Sequence, residues 1–125
     1  MTAVLQQLQD SGRTAHLRPV DFGAIFPLSG GLPVPKRAPQ RQAYRLVELA
    51  RFRQALGLPL NLHPAHFPVS ADLASRLIIA VDGTDGARAA LDLAGRLGRA
   101  VWAEERNIAD PATLQLVLAE AGLPA

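Results

Sequence analysis

From Gln40 to Leu56 the chain runs without a glycine or a proline, and it is bounded by Pro39 on one side and Gly57-Leu-Pro59 on the other. Pro39 sits where a first helical turn tolerates a missing N–H, and a glycine followed by a proline ends a helix. The segment therefore predicts a helix over about Pro39 to Leu56. On a helical wheel Ala43, Leu46, Val47 and Ala50 form one apolar stripe, and Leu49, Phe52 and Leu56 form a second. Two stripes imply a central helix covered on two sides and the most buried of the chain.

The same helix carries a charge imbalance. Residues 36–53 hold Lys36, Arg37, Arg41, Arg45, Arg51 and Arg53 against Glu48 alone, a local +5 within a chain of net +2. A cluster this compact points to a local anion site, because a general nucleic-acid footprint needs a wider basic face. An arginine-rich solvated helix face reads equally well.

The rest is organised around this helix. Aromatic residues make up only 5% of the 125 residues, whereas Leu and Ala are frequent, which favours packed helices over a sandwich or barrel. The fold class that follows is mostly α. Thr2 to Gln9 predicts a short opening helix broken at Ser11-Gly12, and Thr14 to Val20 predicts one strand, with His16 and Arg18 alternating with Ala15 and Leu17. A strand with no partner in its own sequence implies pairing with another chain, hence a homo-oligomer, or membership of a longer protein.

Asp21 caps a short helical turn over Phe22 to Phe26, and the Pro- and Gly-rich run from Pro27 to Pro39 delivers Lys36 and Arg37 to the central helix. A helix capped by Ser70 is predicted next, with Leu73, Ala74, Leu77, Ile78 and Val81 as its inward face. A turn at Asp82-Gly-Thr-Asp-Gly86 leads to a helix over about Ala87 to Glu104, and Asp110-Pro111 caps a last one closed by Gly122.

Several chemistries are excluded or weakened. There is no cysteine, so the chain has no disulfide, thiolate metal site or thiol nucleophile of its own, and a reducing, cytoplasmic setting suits it. Its longest aliphatic run, Leu77 to Val81, is far below the ~18 residues of a membrane span. His63 and His66 have a His-x-x-His spacing but no third ligand, and the prolines beside them make a stiff loop rather than a metal site. Asp82 and Asp85 lack the later oxygen ligands of a calcium loop. Trp102 reads as a large core anchor. Arg76, set within an apolar helix face, predicts a buried guanidinium held by a salt bridge.

In series, Leu17-Arg-Pro19, Phe22-Gly-Ala-Ile-Phe26, Tyr44, Leu49-Ala-Arg-Phe52, Gly57-Leu-Pro59, Phe67-Pro68, Arg76 and Trp102-Ala-Glu-Glu-Arg-Asn-Ile-Ala-Asp110 give the chain its resemblance. From about Leu17 to Leu123 it resembles the 2-hydroxychromene-2-carboxylate isomerase family. Those enzymes are glutathione-dependent relatives of kappa-class glutathione transferases and DsbA-type thioredoxin-fold proteins.

The resemblance implies that residues 21–125 are the helical domain inserted into a thioredoxin-like fold. Residues 1–20 would be a remnant of the thioredoxin half, which is α/β in full-length members. It further implies glutathione as the thiol source and a small-molecule carboxylate as substrate, isomerised from a cis hydroxychromene to an open-chain trans pyruvate. Nucleic acid and membrane are not implied partners.

Arg41 matches the basic residue before the family's tyrosine, and Gly31 replaces the asparagine of its Gly-Asn-x-Pro-Pro loop, with Pro33 retained. Substrate-side residues are thus Lys36, Arg37 and Arg41 as carboxylate anchors, with Gly31 and Pro33 shaping the loop. No catalytic residue is assigned, since the family's thiol-activating serine lies in a Ser-Pro loop and no Ser-Pro occurs here. The closing cis-proline loop and strands are likewise missing, so these 125 residues alone are expected to be inactive. A kappa-class transferase and a non-catalytic helical interaction module are the alternatives.

Overall fold

A computed structural model describes residues 7–8 and 10–124. The protein is mostly helical, and no strand occurs among the described residues. Among the described residues five complete α-helices run in order: α1 at Phe22–Ser29, α2 at Pro39–Leu56, α3 at Asp72–Asp85, α4 at Ala87–Trp102 and α5 at Pro111–Glu120, with a 3₁₀ turn at Val34–Lys36. The opening helix expected over Thr2 to Gln9 falls largely outside the described residues, although Gln7, Leu8 and Asp10 are helical. Two compact units result: Met1–Pro19 with His63–Ala125, and Val20–Leu62.

In the first unit, α4 is the centre. Ala90, Leu93, Leu97, Ala100 and Val101 are buried, a set recurring every three or four residues along one stripe. Against that stripe pack Ala74, Ile78 and Val81 of α3 and Leu114, Val117 and Leu118 of α5, with Ile108 from the α4–α5 loop completing the core.

Leu77 and Leu17 lie partly buried at its margin, whereas Leu73 is exposed. The expected turn at Asp82–Gly86 is instead helical as far as Asp85, and Gly86 alone separates the two helices. Its φ of 87° lies in the region favouring glycine, and its N–H closes α3 on Val81 O at 3.1 Å.

Backbone and side-chain hydrogen bonds together set the remaining ends. α3 is capped at Ala71, one residue after the expected Ser70, whose hydroxyl still accepts from Asp72 N at 3.4 Å. α4 stops at Trp102 rather than Glu104. Ala103 N and Glu104 N both donate to Arg99 O, and Glu105 takes a left-handed φ of 56° that turns the chain back. The Glu105 carboxylate accepts from Ala65 N, tying down the loop that holds buried Pro64. Asp110 caps α5 as expected, accepting from Ala112 N and Thr113 N.

The strand expected over Thr14 to Val20 is a correction. That segment is irregular, although Ala15, Leu17 and Pro19 are half-buried while their neighbours are exposed. The alternation is therefore real, but a ladder needs a second strand to receive its N–H and C=O groups.

The second unit corrects the central expectation. α2 spans the predicted residues, yet neither α1 nor α2 contains a buried residue. Leu46, Leu49 and Ala50 are half-buried, while Tyr44, Val47, Phe52 and Leu56 are exposed. The most buried helix is α4. The half-buried residues of α2, Gln42, Arg45, Leu46, Leu49 and Ala50, fall on one face, and the apolar residues away from it stay exposed because a second stripe needs a second wall.

Candidate anion-binding site

The loop before α2 is built by three local devices. Gly30, with φ 73°, ends α1, and Gly31 then passes under the Phe26 ring. A Cβ at Gly31 would stand 2.6 Å from Phe26 Cδ1, closer than any side chain can be placed. The ring is itself packed on Phe22, with centroids 5.4 Å apart. Residue 31 is therefore a glycine for reasons of space.

Pro33 opens the 3₁₀ turn Val34–Lys36, closed by Lys36 N to Pro33 O at 2.9 Å and Arg37 N to Val34 O at 3.1 Å. The Arg37 Nε donates to Leu32 O at 2.8 Å, folding the half-buried guanidinium back over the loop. Gln42 Nε2 donates to Arg37 O at 2.7 Å and reaches Pro35 O at 3.4 Å, so the first turn of α2 clamps the loop from below.

Lys36 and Arg41 are exposed, Pro33 is exposed and Gly31 half-buried. These five residues occupy one short loop and the first turn of one helix. The first turn of α2 contains no acidic residue, and Ala38 offers no side-chain cap. The positive end of the helix dipole therefore lies next to these cations in the chain, and the first turn of α2 brings no carboxylate of its own.

Other sequence-level candidates take different places. His63 and His66 are both exposed, and among the described residues no group of three His, Cys, Asp or Glu side chains converges on a metal position. Asp85 accepts a bond from Thr84 Oγ1 at 2.6 Å at the end of α3. Trp102 is half-buried at the core margin, packed at a 41° tilt against Phe67 with centroids 4.7 Å apart.

Arg76 is a correction. It is exposed and has no ion-pair partner among the described residues, because it lies on the side of α3 away from Ala74, Ile78 and Val81. Ion pairs form elsewhere: Arg96 pairs with Asp92 at 2.7 Å, and Arg106, 3.3 Å from Glu104, grips Glu120 through both terminal guanidinium nitrogens, at 3.1 and 2.9 Å. That contact raises Arg106 above the ordinary arginine pKa and lowers Glu120 below the ordinary carboxylate value. Gln42 was not foreseen as a clamp, since a glutamine inside a polar helix turn carries no distinguishing pattern.

The family model of the DSBA-like thioredoxin domain matches residues 1–125. The chain belongs to the DSBA-like thioredoxin domain family. No curated protein and no solved structure matches it. The helices seen here correspond to the helical portion of a DsbA-like thioredoxin fold. No described helix is long and apolar enough to cross a membrane. Within the DSBA-like family this chain is one without a cysteine, so it supplies no thiol of its own.

Proposed function

We propose that the chain serves a glutathione-dependent isomerase of the 2-hydroxychromene-2-carboxylate type, and that Lys36, Arg37 and Arg41 hold the carboxylate of the substrate or of glutathione. The observation that carries this reading is the loop itself. Three cations lie within six residues of an acid-free helix start, on a backbone pinned by Arg37 to Leu32 and by Gln42 to Arg37. Pinning matters because a preorganised cationic loop orders fewer side chains on binding.

Glutathione would supply the nucleophilic thiol, which suits a chain free of cysteine and a reducing cytoplasm. What these residues contribute is orientation: an anchored carboxylate fixes the reacting carbons relative to that thiol. The same anchors serve a kappa-class transferase equally, since conjugation and isomerisation both begin with thiolate attack. The chain contains no Ser-Pro loop for thiol activation, so the 125 residues alone bind without turning over.

Calorimetric titration of the chain with glutathione and with 2-hydroxychromene-2-carboxylate tests the reading. Arg41→Ala weakens binding about tenfold, the lower end of the scale for hydrogen bonds to charged groups given an exposed site. Equal affinity of wild type and Arg41→Ala for both anions removes Arg41 from the site. Glutathione-dependent turnover by the chain, followed by absorbance, contradicts the statement that activation comes from elsewhere.

A further inference from the structure

Helix α2 exposes a second surface, distinct from its start. Tyr44, Glu48, Arg51, Phe52 and Ala55 line an open hollow of about 280 Å³ along it. Tyr44, Glu48, Arg51 and Ala55 follow one another at intervals of four, three and four, which is the spacing of a heptad seam. Val47 and Phe52 flank the seam. Tyr44 and Phe52 are 56% and 57% exposed, and with Val47 they leave apolar surface on this part of α2 open.

The order of residues along the seam says what that partner is. Set two copies of α2 antiparallel about a twofold axis level with the peptide between Leu49 and Ala50. Tyr44 then stands level with Ala55 of the second copy, and Glu48 with Arg51 of the second copy. Large meets small and anion meets cation, and symmetry makes each contact twice. A parallel pairing would instead oppose Glu48 to Glu48 and Arg51 to Arg51. Neither Glu48 nor Arg51 has an ion-pair partner among the described residues.

We infer that α2 is a self-docking element, and that the occupant of its exposed seam is α2 of a second copy of this chain, antiparallel, with the Glu48–Arg51 layers fixing register. Charge layers within a seam cost stability while specifying alignment. An 18-residue helix spans about 27 Å, so the contact falls at the small end of stable interfaces and gives a weak, concentration-dependent dimer. This inference is independent of the anion site, whose residues are not part of the seam.

Sedimentation velocity up to about 100 µM chain tests it, a range suited to small interfaces. Wild type shifts to dimer mass with concentration. Glu48→Arg and Arg51→Glu each remain monomeric, and the combined Glu48→Arg/Arg51→Glu chain dimerises again because both layers are restored in reverse. Circular dichroism of each variant confirms that the helices persist.

Since the chain has no cysteine, Tyr44→Cys/Ala55→Cys reads the register directly. The two positions lie about 16 Å apart on one helix, beyond disulfide reach, so an oxidised bridge joins two copies. A covalent dimer from the double-cysteine chain but not from Tyr44→Cys alone supports the pairing. Wild type that stays monomeric, assembly beyond the dimer, failure of the double reversal to restore association, or cross-linking as rapid from Tyr44→Cys alone each overturn it.

Discussion

Helices α2 and α4 are of nearly equal length, 18 and 16 residues, yet α4 buries five side chains and α2 buries none. Apolar content alone does not account for this, since 9 of 18 residues in α2 and 10 of 16 in α4 are apolar. Arrangement does. In α4 the apolar residues return to one stripe, so α3 and α5 can close over it, whereas in α2 they alternate with arginines around the circumference. One helix is a core and the other is a surface, and the two functional readings offered here, an anion loop and a self-docking seam, both lie on the surface one.

The largest break in this contrast comes from truncating a core side chain. Leu93 has no exposure at all, and Leu93→Ala should cost about 3–5 kcal/mol through lost burial and the cavity left behind. Phe52→Ala, studied on dilute chain, should change stability by no more than about 0.5 kcal/mol. Urea denaturation of both variants checks the pair. Equal losses would mean that α2 carries a core of its own.

Glycines sharpen the same contrast with the opposite sign. Gly31→Ala drives a methyl into the Phe26 ring and should cost about 1–3 kcal/mol, the scale of overpacking, felt mainly in α1 and the loop. Gly83 lies inside α3, and a Cβ there would meet nothing within 4 Å. Gly83→Ala should therefore stabilise by about 0.5–1 kcal/mol through helix propensity. Thermal melts separate the two signs.

How far the sequence was legible follows from the same physics. Punctuation by Pro39, Gly57, Asp110 and Gly86 placed helix ends within a few residues, because caps are local chemistry. Burial was not local. Two stripes on α2 read as two contacts, whereas contact depends on whether other elements present matching faces, which no single helix encodes. Arg76 failed for a related reason: its neighbours in sequence are apolar, but the buried side of α3 runs through Ala74, Ile78 and Val81 and leaves position 76 outside. The strand at Thr14 to Val20 had the right alternation and no partner. At the candidate site the cations were visible as a charge cluster, while the clamp from Gln42 to Arg37 O needed coordinates.

The smallest expected effect is a pH dependence confined to the well-packed unit. Thr113 Oγ1 and the backbone N–H groups of Ala112 and Thr113 donate to the Asp110 carboxylate and hold its pKa below the ordinary value. A depressed folded-state pKa gives stability that is fully present above the unfolded carboxylate value, about pH 4, and is lost as pH falls through the lower folded value. Glu120, held by Arg106, acts in the same direction. Asp110→Asn should keep the helix capped and flatten this acid limb in melts recorded from pH 7 down to about pH 2. An unchanged acid limb would show that Asp110 does not contribute to it.

Hydrogen exchange on dilute, monomeric chain tests the division between core helix and surface helix most directly. The amides of α4 around Leu93 and Leu97 should exchange only through global unfolding, while those of α2 from Tyr44 to Phe52 exchange orders of magnitude faster through local opening. Equal protection of α2 and α4 under those conditions would contradict the account, since it would require α2 to be held by packing that its exposed side chains do not show.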